Sequence, residues 1–119
     1  MTYDTHTLVH LCTVTEWRTA EATGERRPPS LDTEGFVHLS TPRQVHLPAN
    51  RLFAGRRDLV LLRLYPARLG SPVRWEPGVP SDDPGMLFPH LYGPLPAAAV
   101  VAVEDFQPDA QGVFAELDH

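Results

Sequence analysis

Three histidines well inside the chain, His10, His38 and His90, have neighbours that could make an imidazole a working group. His38 lies in Gly35-Phe36-Val37-His38-Leu39-Ser40 and His90 in Phe88-Pro89-His90-Leu91-Tyr92. In an extended chain alternate side chains share a face, so Phe36, His38 and Ser40 align, as do Phe88, His90 and Tyr92. Imidazoles beside aromatic rings and hydroxyls can hold a polar ligand, contact phosphate or carry a proton. Two such segments facing one cleft would form a site. Each histidine also admits a plainer role as a hydrogen-bonded polar group at a strand end, and His10, between Leu8 and Cys12 on an apolar face, one as a satisfied core residue.

Among the acids Glu76 draws attention, because Trp75 precedes it and Pro77-Gly78 follow. A carboxylate against an indole would be desolvated and raised in pKa, which suits acid–base work or charge stabilisation; a solvated loop glutamate is the alternative. Ser40 reads as a ligand-binding hydroxyl or a turn former, and Gln44 as the reciprocal partner of a cap at Thr41. Arg43, Arg51, Arg56 and Arg57 form a basic cluster, either a solvated face or a phosphate contact.

Other chemistries find less support. The histidines show no His-x-His or His-Glu-x-x-His spacing, so no metal ligand is assigned. Cys12 has apolar neighbours that would raise its pKa, and no Gly-x-Ser-x-Gly elbow accompanies Ser40. All 10 basic residues are arginine, which removes Schiff-base chemistry and the phosphate-binding lysine of P-loops.

The elements that must position these groups follow from local pattern. Thr7–Thr13 reads as a strand, followed by a helix capped at Thr13 or Thr15, with Trp17 and Ala20 inward and Gly24 at its end. Residues 25–32 read as a loop. After the His38 strand, Thr41 as N-cap, Pro42 at the first helical position and Gln44 at capping-box spacing predict a helix whose N-terminus could hold an anion. Pro48 should break it, with a second short helix running to Gly55. Asp58–Tyr65 is a continuous apolar run, the mark of a strand buried on both faces. Further strands are expected at 73–76, 88–92, 98–103 and 113–115, with Pro89 putting the second at a sheet edge or in a loop. The class is α+β, with two or three short helices and a mostly antiparallel sheet.

At 119 residues, the chain is expected to form a single domain over 1–119, with a net charge of −5 that argues against broad nucleic-acid binding. No apolar run is long enough for a membrane span, no signal peptide is apparent, and a lone cysteine fits a reducing compartment, so a cytoplasmic protein is expected.

The His38 and His90 motifs, together with Gln44, Asp58-Leu59-Val60-Leu61-Leu62, Trp75-Glu76 and Gly93-Pro94, resemble a small bacterial family known as domain of unknown function nine hundred and fifty-two. The resemblance runs from about residue 8 to 105. That family is distantly similar to the ADP-ribosyltransferase superfamily, which includes toxin-like transferases and NAD-dependent RNA 2′-phosphotransferases. The resemblance implies a split, mostly antiparallel sheet with NAD as substrate in a cleft between its halves. His10 would match the residue contacting the adenosine-side ribose or phosphate, and Phe36, His38 and Ser40 the nicotinamide pocket. A late glutamate normally stabilises charge as nicotinamide leaves. Here the chain departs from the pattern, with His90 and Tyr92 at that place, Glu76 upstream and Glu104 downstream. The candidate set is therefore His38, His90 and Glu76 as catalytic residues, with His10, Phe36, Ser40, Gln44, Phe88 and Tyr92 binding a nucleotide ligand. A binding module for a nucleotide or small anion without catalysis, or a His-rich hydrolase with or without a metal, would use the same residues.

Overall fold

In the computed structural model, which describes residues 7–79 and 85–117, short strands outnumber helices as their sequences require. Strand β1 (Leu8–Thr13) runs into helix α1 (Val14–Thr23), where Thr13 and Glu16 close a reciprocal capping box and Gly24 ends the helix in the left-handed region at φ 93°. Then follow β2 (Glu25–Arg26), α2 (Pro29–Thr33), β3 (Val37–His38), α3 (His46–Leu52) and β4 (Leu59–Leu64). The chain closes with β5 (Val73–Pro77), β6 (Leu87–Leu91), β7 (Leu95–Pro96) and β8 (Val100–Asp105).

The strands form two three-stranded antiparallel sheets, ordered β1-β4-β8 and β3-β6-β5, and a small β2-β7 pair. The apolar run in β4 makes it the middle strand of the first sheet, buried on both faces. On one face Leu8, Cys12, Leu62 and Leu64 pack with Val37, Leu39 and Leu91 of the second sheet. On the other, Val9, Leu59 and Leu61 pack with Val45, Ala49, Phe106 and Phe114. Ser40 links the sheets through a two-way backbone bridge to Val9 (2.8 and 2.9 Å). The result is an α+β fold around a split antiparallel sheet. Among the described residues no helix is long and apolar enough to cross a membrane.

Several elements differ from their sequence-based expectation. Residues 42–45 form turns and α3 starts at His46, so Pro48 falls in the first helical turn, where its missing N–H costs no ladder bond. No long helix therefore opens at Thr41 to offer an anion site; its N–H is taken by Gln44 Oε1 (3.0 Å). Pro89 lies in the middle strand β6 rather than at an edge. Residues 113–115 form no strand. Instead Phe114 stacks on Phe106 at 5.0 Å, and its backbone is held by both side-chain groups of Asn50 (2.9 and 2.8 Å). The expected loop at 25–32 contains β2 and most of α2.

Asn50 thus ties the C-terminal segment to α3 with two hydrogen bonds. Asn50→Ala should lower the unfolding free energy by about 2 kcal/mol, whereas Leu52→Ala, at a side chain 64% exposed, should change it by less than about 0.5 kcal/mol. Equal effects in urea unfolding would refute this account of the segment.

Candidate functional site

The two motif segments meet as antiparallel neighbours with His38 opposite His90. Leu39 N donates to the Pro89 carbonyl (3.0 Å), so 39/89 is a hydrogen-bonded pair and 38/90 the intervening kind, in which side chains stand closer. The two imidazoles accordingly meet edge to face with centroids 5.3 Å apart. Phe36 stacks flat on His90 at 4.0 Å, and its ring also touches His38 (4.9 Å) and Tyr92 (5.3 Å). Four rings from two distant segments form one cluster.

Across β6, strand β5 contributes the carboxylate. Glu76 Oε1 accepts both His90 Nδ1–H (2.8 Å) and the Tyr92 hydroxyl (2.6 Å), and Arg74 lies over the Tyr92 ring at 4.9 Å. Oε2 has no hydrogen-bond partner among the described residues. The Tyr92 hydroxyl first, then His90, hold Glu76 below its ordinary pKa, and the same carboxylate raises that of Tyr92. The expectation of a carboxyl raised by Trp75 is thereby overturned. Alternation in β5 sends Trp75 to the opposite face, so the aromatic partner of Glu76 is a hydrogen-bond donor rather than a desolvating indole.

His38 stands at the rim, its side chain 57% exposed, with Nε2–H donating to Glu34 Oε1 (3.2 Å). Beside it a cleft of about 300 Å³ opens where the two sheets meet, lined by His10, Arg26, His38, Ser40 and Arg56 among others. His10 is buried, and both ring nitrogens are engaged: Nδ1–H donates to the His38 carbonyl (2.7 Å) and Nε2 accepts from Arg26 Nε–H (3.2 Å). Burial, then the adjacent guanidinium, lowers its pKa to about 4, so the ring is neutral near pH 7. Of the two groups it is Arg26, not His10, that keeps N–H groups to spare, although Glu16 lies 3.5 Å from it. A larger hollow of about 440 Å³ runs along α1 and shares Arg26, but none of the motif residues.

The remaining candidates have other surroundings. Gln44 is spent on structure, accepting from Thr41 N and donating to the Leu87 carbonyl (3.1 Å). Phe88 is buried on β6 and takes no part in the ring contacts among the described residues. Glu104 accepts from Arg63 (2.6 Å) on the outer strand of the other sheet, so of these two glutamates it is Glu76 that stands at the histidine cluster. Burial raises the Cys12 thiol to about 11. Among the described residues, no three His, Cys, Asp or Glu side chains are placed to hold a metal ion. Sequence reasoning missed Arg26, Glu34 and Arg74. Only Arg74 left a signal, two residues from Glu76 and hence on its face.

A family model described as a protein of unknown function, DUF952, matches residues 11–103. The chain is similar to protein CC0527 from Caulobacter crescentus. Its crystal structure is 32% identical, with a TM-score of 0.77, over 92% of this chain and 93% of that one. The solution NMR structure of the same protein is also 32% identical, with a TM-score of 0.72, over 91% and 90% of the two chains. No curated protein matches.

The two engaged nitrogens of His10 have a consequence for acid stability. Its pKa is about 6.5 unfolded and about 4 folded, so between those values the unfolded chain binds more protons and stability falls as pH drops. The loss attributable to this residue should total about 3 kcal/mol by pH 4. Urea unfolding from pH 7 to 4 should give a visibly flatter curve for His10→Gln than for the native chain. Parallel curves would show that His10 titrates normally in the fold.

Proposed function

The chain belongs to the DUF952 family, and we propose that it is an NAD-linked transferase of the ADP-ribosyl or RNA 2′-phosphotransferase kind, with NAD as substrate. The reading is carried by Glu76, a carboxylate kept ionised by two donors on one oxygen, with no hydrogen-bond partner on the other among the described residues. Breaking the bond between nicotinamide and ribose builds an oxocarbenium-like centre, which such a carboxylate stabilises as charge develops. Phe36, Tyr92 and His38 supply ring surface and polar edges beside it for a flat heterocycle and its ribose. The split between the sheets supports the same reading. Its cleft, which shares His38 with the ring cluster but is not lined by Glu76, His90 or Tyr92, has room for part of a dinucleotide, with Arg26 available to phosphate and Ser40 to a sugar hydroxyl.

Arg26 also favours a second reading, in which the cleft holds a nucleotide or small anion and no bond is broken. Turnover separates the two. Incubation of the full chain with NAD should release nicotinamide, measured by chromatography. Glu76→Gln should slow that release at least 100-fold while NAD affinity stays within about threefold, the pattern of a group acting mainly in the transition state. His38→Ala should weaken NAD binding. Binding without release in the native chain would establish the second reading, and absence of NAD binding at millimolar concentration would refute the first.

A further inference from the structure

We infer that His90 is the general base for a hydroxyl acceptor, so that the group receiving ADP-ribose is an alcohol or water; this rests on the NAD-linked reading above. Glu76 accepts His90 Nδ1–H, which leaves Nε2 as the ring's lone-pair nitrogen. Nε2 has no hydrogen-bond partner among the described residues. The ring is held from both sides of its geometry, flat against Phe36 at 4.0 Å and edge-on to His38 at 5.3 Å, so that nitrogen has a fixed direction. The Tyr92 hydroxyl on the same carboxylate oxygen keeps Glu76 charged, so Glu76 orients the imidazole and steadies an imidazolium without taking the proton itself.

The other two motif imidazoles lack this combination. His10 has both nitrogens engaged, and the carboxylate near His38 is a half-exposed Glu34 on a ring open to solvent. A hydrogen bond serving only to staple β5 to β6 would need no open nitrogen beyond the Glu76 contact.

An oriented base is needed by some acceptors and idle for others. A phosphate or carboxylate oxygen already carries its negative charge, whereas an O–H nucleophile must lose its proton as it attacks. In the proposed step the acceptor oxygen bonds to C1′ of the nicotinamide ribose. The C1′–N bond breaks, its electron pair leaves with nicotinamide, and the acceptor's proton passes to His90 Nε2. The positive charge of the pyridinium thus ends as an imidazolium beside Glu76. The acceptor class is therefore the hydroxyl, in preference to the anionic oxygen of a phosphate.

The test uses the full chain with NAD in water, with added methanol, and with added inorganic phosphate. Methanol should yield methyl ADP-riboside, identified by mass spectrometry, and phosphate should add no product. His90→Asn preserves a donor toward Glu76 without the open nitrogen. It should lower nicotinamide release by 100- to 10,000-fold and abolish the acid limb of the pH–rate profile, with NAD affinity within about threefold. Should that variant fail to fold, His90→Gln serves in its place, with the same fall in nicotinamide release expected. Native release of nicotinamide with an unchanged rate and pH profile in His90→Asn would overturn the base assignment alone. A product formed only with phosphate would overturn the acceptor class, and no NAD turnover in the native chain would overturn both this inference and the reading beneath it.

Discussion

The fold depends on one missing hydrogen bond. In an antiparallel ladder a residue's N–H and C=O point to the same neighbour, and Pro89 has only the carbonyl to offer. That carbonyl accepts from Leu39 N, but nothing returns, and β3 pairs with β6 over Val37–His38 alone. On the other side Pro89 stands opposite Trp75 in a pair that exchanges no ladder bonds, so β5 loses nothing by it. A proline is thereby tolerated in a middle strand. The strand it releases turns within two residues to bond Val9 through Ser40, and the second sheet is joined to the first at that point.

This junction explains why two buried histidines behave so differently. His10 lies on the strand that receives the bridge, and the His38 carbonyl, one residue before the chain turns away, becomes its hydrogen-bond acceptor. With Arg26 on its other nitrogen, His10 is locked as a neutral strut behind the cleft. His90 lies opposite His38 on β6, on the face of the sheet away from the core. Its carboxylate partner comes from β5, and its second nitrogen is left over. Burial alone would predict similar roles for them, since both are nearly buried. The difference lies in how many partners surround each ring.

Much of this was legible in the sequence where local physics decides. The Thr13 cap, the Gly24 stop, the apolar β4 run and the shared face of Phe36 and His38 follow from hydroxyl chemistry, positive φ and alternation. What was not legible depends on pairing between distant segments. Trp75 beside Glu76 suggested a desolvated acid because sequence neighbours are visible and cross-strand neighbours are not; the groups that set its pKa are 14 and 16 residues away. Pro89 suggested an edge because its tolerated position depends on which ladder bond is absent. Two-residue strands such as β2 carry too little pattern to announce themselves, and Arg26 was hidden with it. Residues 113–115 had strand-like side chains, but Asn50, more than 60 residues earlier, satisfies the backbone of Phe114, and Asp109 that of Val113.

The likeness between the two motifs becomes intelligible once the register is known. Pairing His38 with His90 antiparallel reverses one motif against the other, so the residue before the first histidine's neighbour lies near the residue after the second's. Phe36 therefore meets Tyr92, as the 5.3 Å ring contact records, while at the other end Ser40 leaves β6 to bridge Val9. The aromatic-x-His-x pattern thus places rings and imidazoles together only in this one alignment. A slip of a single residue would turn His90 and Tyr92 toward the core now filled by Leu91, and Leu91 toward solvent. Burial of Val37, Leu39 and Leu91 on one face of the sheet therefore selects the register that assembles the histidine cluster on the other, and the core and the candidate site are specified by the same alternation.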